Sequence, residues 1–356
     1  EDVYLGIPQG LNLDKKTHCL KLKKAIYGLK QAPLAWYKRL TTWLLNVGFT
    51  SSLSDPCVFH CSTESPTRLF FHVDDIAVFG KDVTPFKNQL KSEFDVKDMG
   101  DAELMLGIQV IQIPEGLVLS QAHYIESLLV LYGMENCWPV ATPMVPGFHL
   151  TEASLGQQEA FKNLKVNYRS AVGSLSYLST ATRPDISFAV SLLSQFLELP
   201  GIKHWRAFLH VLRYLRVWKT RKQPTVSLST AEAEYKALTD LTTELLWLRQ
   251  FIEELSLGLI NFPIDVFSDN QACINTANSD SNYNNRRMKH VEIQLHFIRE
   301  VINQKKIRVT YVPTHDMLAD FMTKSIGRTA LNRCLGALNV LCLRARGDVE
   351  INTTDE

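Results

Sequence analysis

Residues 69–80 read LFFHVDDIAVFG, an apolar, β-prone run that two adjacent carboxylates, Asp74 and Asp75, interrupt. The pattern predicts two strands joined by a tight turn, with the acids at its tip. A strand core does not bury two carboxylates without a compensating partner, because an unpaired buried charge is costly. Mg²⁺ takes oxygen ligands and leaves room for substrate phosphates, so the pair favours nucleotidyl transfer. The alternative is a surface turn, in which aspartate is common.

Length and composition bound the remaining possibilities. At 356 residues the chain is long enough for two or three domains, and 46% hydrophobic residues with a mean hydropathy of -0.06 are typical of a soluble globular protein. The net charge of +1 provides no global field for nucleic acid, so any basic surface must be local. No apolar run is long enough to span a bilayer, which predicts no membrane association. The chain opens at Glu1 without a secretory signal, and this start suggests a fragment of something longer.

Periodicity along the chain predicts an α+β fold. Helical spacing predicts helices over 32–47 and 86–94, and a strand followed by a helix over 117–129. The pattern from 217 onward alternates, with strands predicted at 225–228, 264–267 and 307–312 and a long helix over 231–255. We predict four segments: 1–145 with mixed strands and helices, 146–216 mostly helical, 217–330 alternating, and 331–356 as a C-terminal tail.

The alternating segment carries a second set of acids. Glu234 lies in the first turns of the long helix, Asp269 follows a strand, and Asp320 lies near the start of a helix. Ligand sites in α/β sheets lie beyond the carboxyl ends of strands, so these acids could converge there on two metal ions and hydrolyse a phosphodiester. Taken singly, each acid could instead be a solvated helix residue, a turn residue, or a helix-start charge favoured by the dipole.

Several blocks, in order, resemble the pol polyprotein of copia-type LTR retrotransposons. The resemblance runs from residue 1 to about 340. Its reverse transcriptase blocks are LKKAIYGLKQAPLAWY at 22–37, VDD at 73–75, LGI at 106–108 and CWPVATPM at 137–144. Its middle blocks are YRSAVGSL at 168–175 and TRPDI at 182–186. Its ribonuclease H blocks are STAEAEY at 229–235, SDNQ at 268–271, VPT at 312–314 and LAD at 318–320.

The resemblance implies a palm-and-fingers reverse transcriptase fragment, a helical connection, and an incomplete ribonuclease H-like α/β domain. It implies that Asp74 and Asp75 hold catalytic Mg²⁺ ions. It also places Lys30 and Gln31 in a turn beside the nucleotide pocket, with Tyr27 facing that pocket. Such a polymerase works by positioning the reactants and neutralising charge in an in-line displacement.

The same resemblance makes Glu234, Asp269 and Asp320 the Mg²⁺ ligands of a nuclease that cleaves RNA–DNA hybrids. The implied partners are an RNA template, a DNA primer, the RNA–DNA hybrid, deoxynucleotides and other Pol segments. The implied location is a cytoplasmic particle, the nucleus, or both.

Two basic clusters could contact the nucleic-acid backbone. The first cluster consists of Lys21, Lys23, Lys24 and Lys30, and the alternative is that these lysines form a solvated face. The second cluster consists of Arg286, Arg287 and Lys289, and it could hold the hybrid near the nuclease site.

Two departures from the family pattern affect activity. The family takes another polymerase metal ligand from an Asp upstream of the block that begins this chain. The family also has an opening ribonuclease H hairpin, with an Asp on its first strand, where Arg216 here runs directly into Val217. We therefore expect an N-terminally truncated chain with an internal deletion, which is inactive because the first Asp of each site is absent. The open alternatives are a catalytic fragment completed by residues outside the chain, and a non-catalytic nucleic-acid-binding remnant.

Overall fold

The computed structural model describes residues 2–11, 18–61, 66–113, 116–216, 231–255, 263–278 and 292–340. Two predictions lie outside these described residues, namely the strand at 225–228 and the basic cluster of Arg286, Arg287 and Lys289. The backbone of Glu234 lies in a described helix, but its side chain is outside the described part. The described chain mixes helices with antiparallel and parallel strands, which confirms the α+β class.

The first hundred residues build a small sheet backed by two helices. Its elements are β1 (Tyr4–Leu5), β2 (Leu20–Lys21), α1 (Ala32–Asn46), β3 (Thr50–Ser51), β4 (Val58–Cys61), β5 (Thr67–His72), β6 (Asp75–Phe79) and α2 (Thr84–Glu93). Strands β3 to β6 form one antiparallel sheet in sequence order, and β1 pairs with β2 separately. Both helices and the β5–β6 hairpin lie where the sequence predicts them.

Matched periodicities form the core of this part. Helix α1 buries Leu40, Trp43 and Leu44, which share one face because they lie three or four residues apart. Strand β5 buries every second residue, so Leu69 and Phe71 point to the same side. These side chains and two apolar residues of α2 form one cluster that holds the helices on the sheet.

The next hundred residues form a three-stranded meander and a helical bundle. The elements are β7 (Leu104–Met105), β8 (Ile108–Ile113), β9 (Gly116–Ser120), α3 (Ala122–Leu131), α4 (Leu155–Lys162), α5 (Tyr168–Ala181), α6 (Ser187–Ser194) and α7 (Ile202–Arg216). The bundle core is fully buried at its centre, since Leu175, Leu178, Leu193 and Phe208 have no exposed surface. The mostly helical character predicted for residues 146–216 is therefore confirmed.

The last part alternates helices and strands. Its elements are α8 (Ala231–Glu254), β10 (Ile264–Ser268), α9 (Gln271–Asn278), α10 (Glu292–Asn303), β11 (Ile307–Tyr311), α11 (Asp320–Thr323) and α12 (Arg328–Ala337). Strands β10 and β11 pair in parallel, with α9 and α10 between them in the chain, because a parallel pair needs a long crossover connection. Phe321 and Leu331 join the core of the helical bundle.

The chain divides into two compact units. Unit 1 comprises Glu1–Gly100 with Thr243–Asn261, and unit 2 comprises Asp101–Thr242 with Phe262–Glu356. Helix α8 thus contributes its last three turns to unit 1. The four-segment division remains a prediction. Within the described part of the chain, no helix combines the length and the apolar character needed to cross a bilayer.

A buried polar cluster fixes the start of α6 in unit 2. Asp185 has 1% exposure, and its carboxylate accepts two hydrogen bonds from the Arg183 guanidinium, at 2.9 and 2.6 Å. The Tyr214 hydroxyl donates a third hydrogen bond to Asp185, at 2.6 Å. Burial raises the pKa of the Tyr214 phenol well above its usual value. These bonds supply the partners that a buried carboxylate requires.

Two glycines of the bundle should respond to alanine in opposite directions. A Cβ at Gly201 would lie 2.3 Å from the Ala153 Cβ, whereas a Cβ at Gly173 in α5 would meet nothing within 4 Å. Overpacking should make Gly201→Ala destabilise the chain by about 1–3 kcal/mol. Gly173→Ala should stabilise it by about 0.5–1 kcal/mol, because alanine restricts the unfolded chain. Urea unfolding of the full chain measures both, and equal effects would contradict this packing.

Candidate nucleotidyl-transfer site

The β5–β6 hairpin places the two adjacent acids at its tip. His72 pairs with Asp75, so Val73 and Asp74 form the two-residue turn. Val73 has a φ of 55°, in the left-handed region, where a β-branched residue is a genuine outlier. Such a residue stores on the order of 1–3 kcal/mol of strain, and strain of this kind clusters at functional sites. The predicted turn between two strands is confirmed.

Both carboxylates face solvent. His72, Val73, Asp74 and Asp75 are all exposed, while Phe71 just before them is buried. The strand therefore leaves the core within one residue of the turn. The exposed position of the two carboxylates leaves their oxygen atoms available to a ligand, without the cost of an unpaired buried charge.

Two aromatic residues, one from the segment before α1 and one from α1 itself, hold the turn. The Tyr27 hydroxyl donates a hydrogen bond to the Asp74 carboxylate. The Trp36 indole N–H donates to the Val73 carbonyl. The hairpin tip thus lies against the chain segment that contains Lys30 and Gln31, both exposed. The two bonded residues, Tyr27 and Trp36, lie on either side of Lys30 and Gln31 in the chain.

The contact with Asp74 perturbs the Tyr27 phenol. The hydrogen bond to Asp74 raises the Tyr27 pKa above its usual value, and the charges of Asp74 and Asp75 act in the same direction. Ionised tyrosine would lose that donor and face two negative groups. Tyr27 therefore remains a neutral donor toward the carboxylate at physiological pH.

The first basic cluster is exposed, but one member is already paired. The Lys21 ammonium lies 2.7 Å from the Asp2 carboxylate and 6.0 Å from the centre of the Tyr4 ring. Lys23 and Lys24 are exposed. Asp2 therefore offsets part of the positive charge of Lys21.

Asp269 lies at the carboxyl end of the parallel strand pair in unit 2. It follows β10 directly and is half-buried. The Ser268 carbonyl accepts a hydrogen bond from the Val312 amide at 3.0 Å, which brings the ends of β10 and β11 together. Asn270 then accepts from the Cys273 amide at 3.1 Å and starts α9. This is the strand-end position that the sequence predicts for Asp269.

Asp320 begins α11, as predicted, and forms an ion pair. Its carboxylate lies 2.8 Å from the Lys324 ammonium, one helical turn later. The next residue, Phe321, is buried in the bundle core. Among the described residues, no group of three His, Cys, Asp or Glu side chains is placed to hold a metal ion. Because the Glu234 side chain lies outside that part, convergence of the three nuclease acids remains a prediction.

Two contacts in the first hundred residues were not anticipated from sequence. Trp36 bonds to a carbonyl 37 positions away, and Asp2 pairs with a lysine 19 positions away. Neither spacing matches a helical or strand period. An indole N–H in the first turns of α1 is a donor that needs a partner, and this signal could have indicated Trp36.

Comparison with known proteins identifies the family. Residues 1–146 match the reverse transcriptase (RNA-dependent DNA polymerase) family. The retrovirus-related Pol polyprotein from transposon TNT 1-94 of Nicotiana tabacum is 33% identical over 390 residues, covering 94% of this chain and 29% of that protein. The retrovirus-related Pol polyprotein from transposon RE1 of Arabidopsis thaliana is 34% identical over 396 residues. This alignment covers 96% of this chain and 26% of that protein.

A shorter relative aligns over most of its own length. The uncharacterized mitochondrial protein AtMg00810 of Arabidopsis thaliana is 31% identical over 229 residues, covering 50% of this chain and 93% of that protein. The chain belongs to the reverse transcriptase family of copia-type retrotransposon Pol polyproteins. It spans less than a third of the TNT 1-94 and RE1 polyproteins. No solved structure matches it.

The aligned spans are longer than the part of this chain that they contain. For TNT 1-94 the alignment has 390 positions, but 94% of 356 residues is about 335, which leaves about 55 positions without a counterpart here. For RE1 the alignment has 396 positions and contains about 342 residues of this chain, which leaves about 54 positions without a counterpart here. This difference agrees with the internal deletion that we expect from the sequence.

The Tyr27–Asp74 contact can be tested by titration. Asp74→Asn removes the charge and weakens the acceptor, so the Tyr27 pKa should fall toward its ordinary value. Ultraviolet difference titration of tyrosinate, with the Tyr27→Phe chain as the blank that identifies the signal, measures the change. An unchanged Tyr27 titration in Asp74→Asn would show that the phenol does not bond to this carboxylate in solution.

Proposed function

We propose that this chain is the reverse transcriptase and partial ribonuclease H portion of a retrotransposon Pol polyprotein, built for metal-assisted phosphoryl transfer on nucleic acid. The observation that carries the proposal is the solvent-facing Asp74–Asp75 pair at a strained hairpin tip, inside the region that matches the reverse transcriptase family. The hairpin tip that carries both acids supports the proposal because it lies within residues 1–146.

The sheet of unit 1 supports a palm-type assignment. Four antiparallel strands backed by α1 and α2 form a rigid platform, and the acids lie at the end of its β5–β6 hairpin. The segment that precedes α1, including Tyr27, Lys30 and Gln31, corresponds to the fingers side. A rigid platform holds reacting groups in fixed positions, which is the main source of catalysis in phosphoryl transfer.

The donor chemistry of the pair fits Mg²⁺. Asp74 and Asp75 offer exposed carboxylate oxygens, the ligands this hard ion prefers, and the exposed tip leaves space for phosphate oxygens. When bound, the ion would neutralise charge on the transferring phosphate. The neutral Tyr27 phenol orients one Asp74 oxygen, and the Trp36 indole fixes the turn that carries both acids.

Substrate contacts follow from the residues around the tip. Lys30 and Gln31 would bind the incoming deoxynucleotide beside Tyr27, where an ammonium and an amide suit phosphate and sugar oxygens. Lys23 and Lys24 would contact the backbone of the RNA template or the DNA primer. Other Pol segments are the expected protein partners.

The nuclease portion is proposed to be incomplete. We place the missing segment of about 55 positions at the junction of Arg216 and Val217, where the family's opening hairpin and its first Asp belong. Glu234, Asp269 and Asp320 would then be the remaining ligands. Losing a carboxylate leaves the cations under-neutralised, and removing such electrostatic stabilisation costs several kcal/mol of transition-state free energy, roughly 10²–10³ in rate per group.

Two assays of the full chain test the catalytic part of the proposal. With Mg²⁺, the 356-residue chain should extend a DNA primer on an RNA template at background rate, because the described residues bring no third acid to Asp74 and Asp75. It should also leave the RNA strand of an RNA–DNA hybrid intact. A cooperative urea unfolding transition, followed by circular dichroism, would show that the chain is folded.

A matched pair of variants separates the outcomes. Fusing the corresponding upstream segment of a relative, which supplies the family's strand Asp, should raise extension, and Asp74→Ala in that longer chain should abolish it. If the 356-residue chain already polymerises and Asp74→Ala abolishes the activity, the requirement for the third acid is wrong. If the longer chain stays inactive, the assignment of Asp74 and Asp75 fails.

A second function, nucleic-acid binding without turnover, is favoured by the exposed lysines before α1. Replacing Lys23 and Lys24 together with alanine should weaken hybrid binding and reduce the slope of log affinity against log salt by about 1 for each phosphate that is no longer neutralised. Lys162→Ala, on the exposed face of α4, is the control. Fluorescence anisotropy at several salt concentrations measures the slope. Equal effects of the double variant and of Lys162→Ala would contradict a binding interface at Lys23 and Lys24.

A further inference from the structure

The carboxyl end of helix α8 lies on the loop between β3 and β4, within unit 1. We propose that residues 52–55, which we call the clasp loop, form a docking site for this helix end together with Arg68, and that unit 1 depends on it for stability. The helix belongs by resemblance to the nuclease portion, so the platform of the polymerase portion would be completed by a segment from the other portion.

One carboxylate makes most of the contacts. The Glu254 Oε2 atom accepts hydrogen bonds from the Ser52 hydroxyl at 2.6 Å and from the Leu53 and Ser54 amides at 3.1 and 3.4 Å. The Oε1 atom accepts from the Ser54 hydroxyl at 3.3 Å and from the Gln250 side-chain amide at 2.8 Å. Bonds to an ionised acceptor are about twice as strong as neutral ones, so this array is a specific attachment.

Two further hydrogen bonds fix the helix end. The Arg68 Nε atom donates to the Leu255 carbonyl at 2.6 Å, and Leu255 is buried. The Trp247 indole N–H donates to the Ser54 carbonyl at 3.3 Å, two turns before the helix ends. A helix leaves its last carbonyls without partners and carries partial negative charge there, so a guanidinium at this position complements it.

The clasp loop is ordered by its own hydrogen bonds. Ser52 is 4% exposed, and its hydroxyl oxygen accepts from the Ser54 and Asp55 amides at 3.0 and 3.1 Å. The Asp55 carboxylate accepts from the Cys57 amide at 2.8 Å. A preformed loop loses little conformational freedom when the helix binds, which favours docking.

The clasp loop directly follows an edge strand of the unit 1 sheet. Strand β3 is only two residues long and forms one edge of the four-stranded sheet. An edge strand exposes unpaired backbone groups, and proteins commonly keep such strands short or cover them with another element. Arg68 lies on β5 at the far end of the hairpin from Asp74, so the docked helix and the acids occupy opposite ends of the same strand.

The contact is not a consequence of chain proximity. Ser52 and Glu254 are 202 positions apart, so ordering them together has an entropic cost that the contacts must exceed. Burial alone would raise the Glu254 pKa, yet the hydrogen bonds from Ser52, Gln250 and the loop amides leave it below its usual value. The loop therefore favours the ionised form. This inference does not depend on catalysis by the chain.

Hydrogen–deuterium exchange of the full chain, followed peptide by peptide, tests the docking site. Glu254→Ala should accelerate exchange about tenfold or more in peptides over 50–61 and 66–72, as expected for removing several charge-assisted hydrogen bonds. Glu253→Ala is the matched control, since Glu253 pairs with Arg249 at 2.8 Å on the same helix. Peptides from the α5 and α6 core are the internal reference.

The reciprocal variant keeps the test decisive even if Glu254→Ala folds poorly. Ser52→Ala should accelerate exchange in the last turns of α8 as well as in the loop. A purely local role of Ser52 would affect the loop alone, and that result would overturn the proposal. Unchanged exchange over 50–61 in Glu254→Ala would also overturn the proposal. So would a double variant, Ser52→Ala with Glu254→Ala, in which the effects of the two substitutions on exchange simply add.

Discussion

The burial of alternate residues along β5 is the constraint on which the rest of unit 1 depends. Leu69 and Phe71 are 1% and 2% exposed, and their pairing with β6 runs in register up to His72 and Asp75. A slip of one residue would turn this apolar face toward solvent, so the register is strongly fixed. The fixed register forces the chain to reverse at Val73, which places the acids at the tip.

The turn is stabilised from outside the hairpin. Val73 adopts a left-handed conformation that its side chain disfavours, and the Trp36 indole bonds to its carbonyl. Tyr27 holds the neighbouring Asp74 carboxylate. The site therefore combines local strain with two contacts from a separate chain segment, an arrangement that fixes the direction of the acids before any ligand arrives.

The order of segments along the chain differs from the way the compact units group them. The TNT 1-94 and RE1 polyproteins align along nearly the whole sequence, with about 55 alignment positions that have no counterpart here. The compact units, by contrast, group the last turns of α8 with the first hundred residues. Segments that are distant in the chain can therefore belong to the same compact unit. The bonds of Glu254 to the clasp loop provide the physical link within unit 1.

The sequence by itself determined α1, α2, α8, the strands β10 and β11 and the hairpin tip, because apolar periods of two and 3.6 residues are local signals. It also determined the family, through blocks such as 22–37 and 73–75. Only the tertiary structure decided that Trp36 holds the turn, that Asp2 offsets Lys21, and that Glu254 docks on the loop after β3. These pairs lie 19 to 202 positions apart, and a contact between distant residues leaves no period in the chain. It forms only once burial of the core has fixed where each element lies.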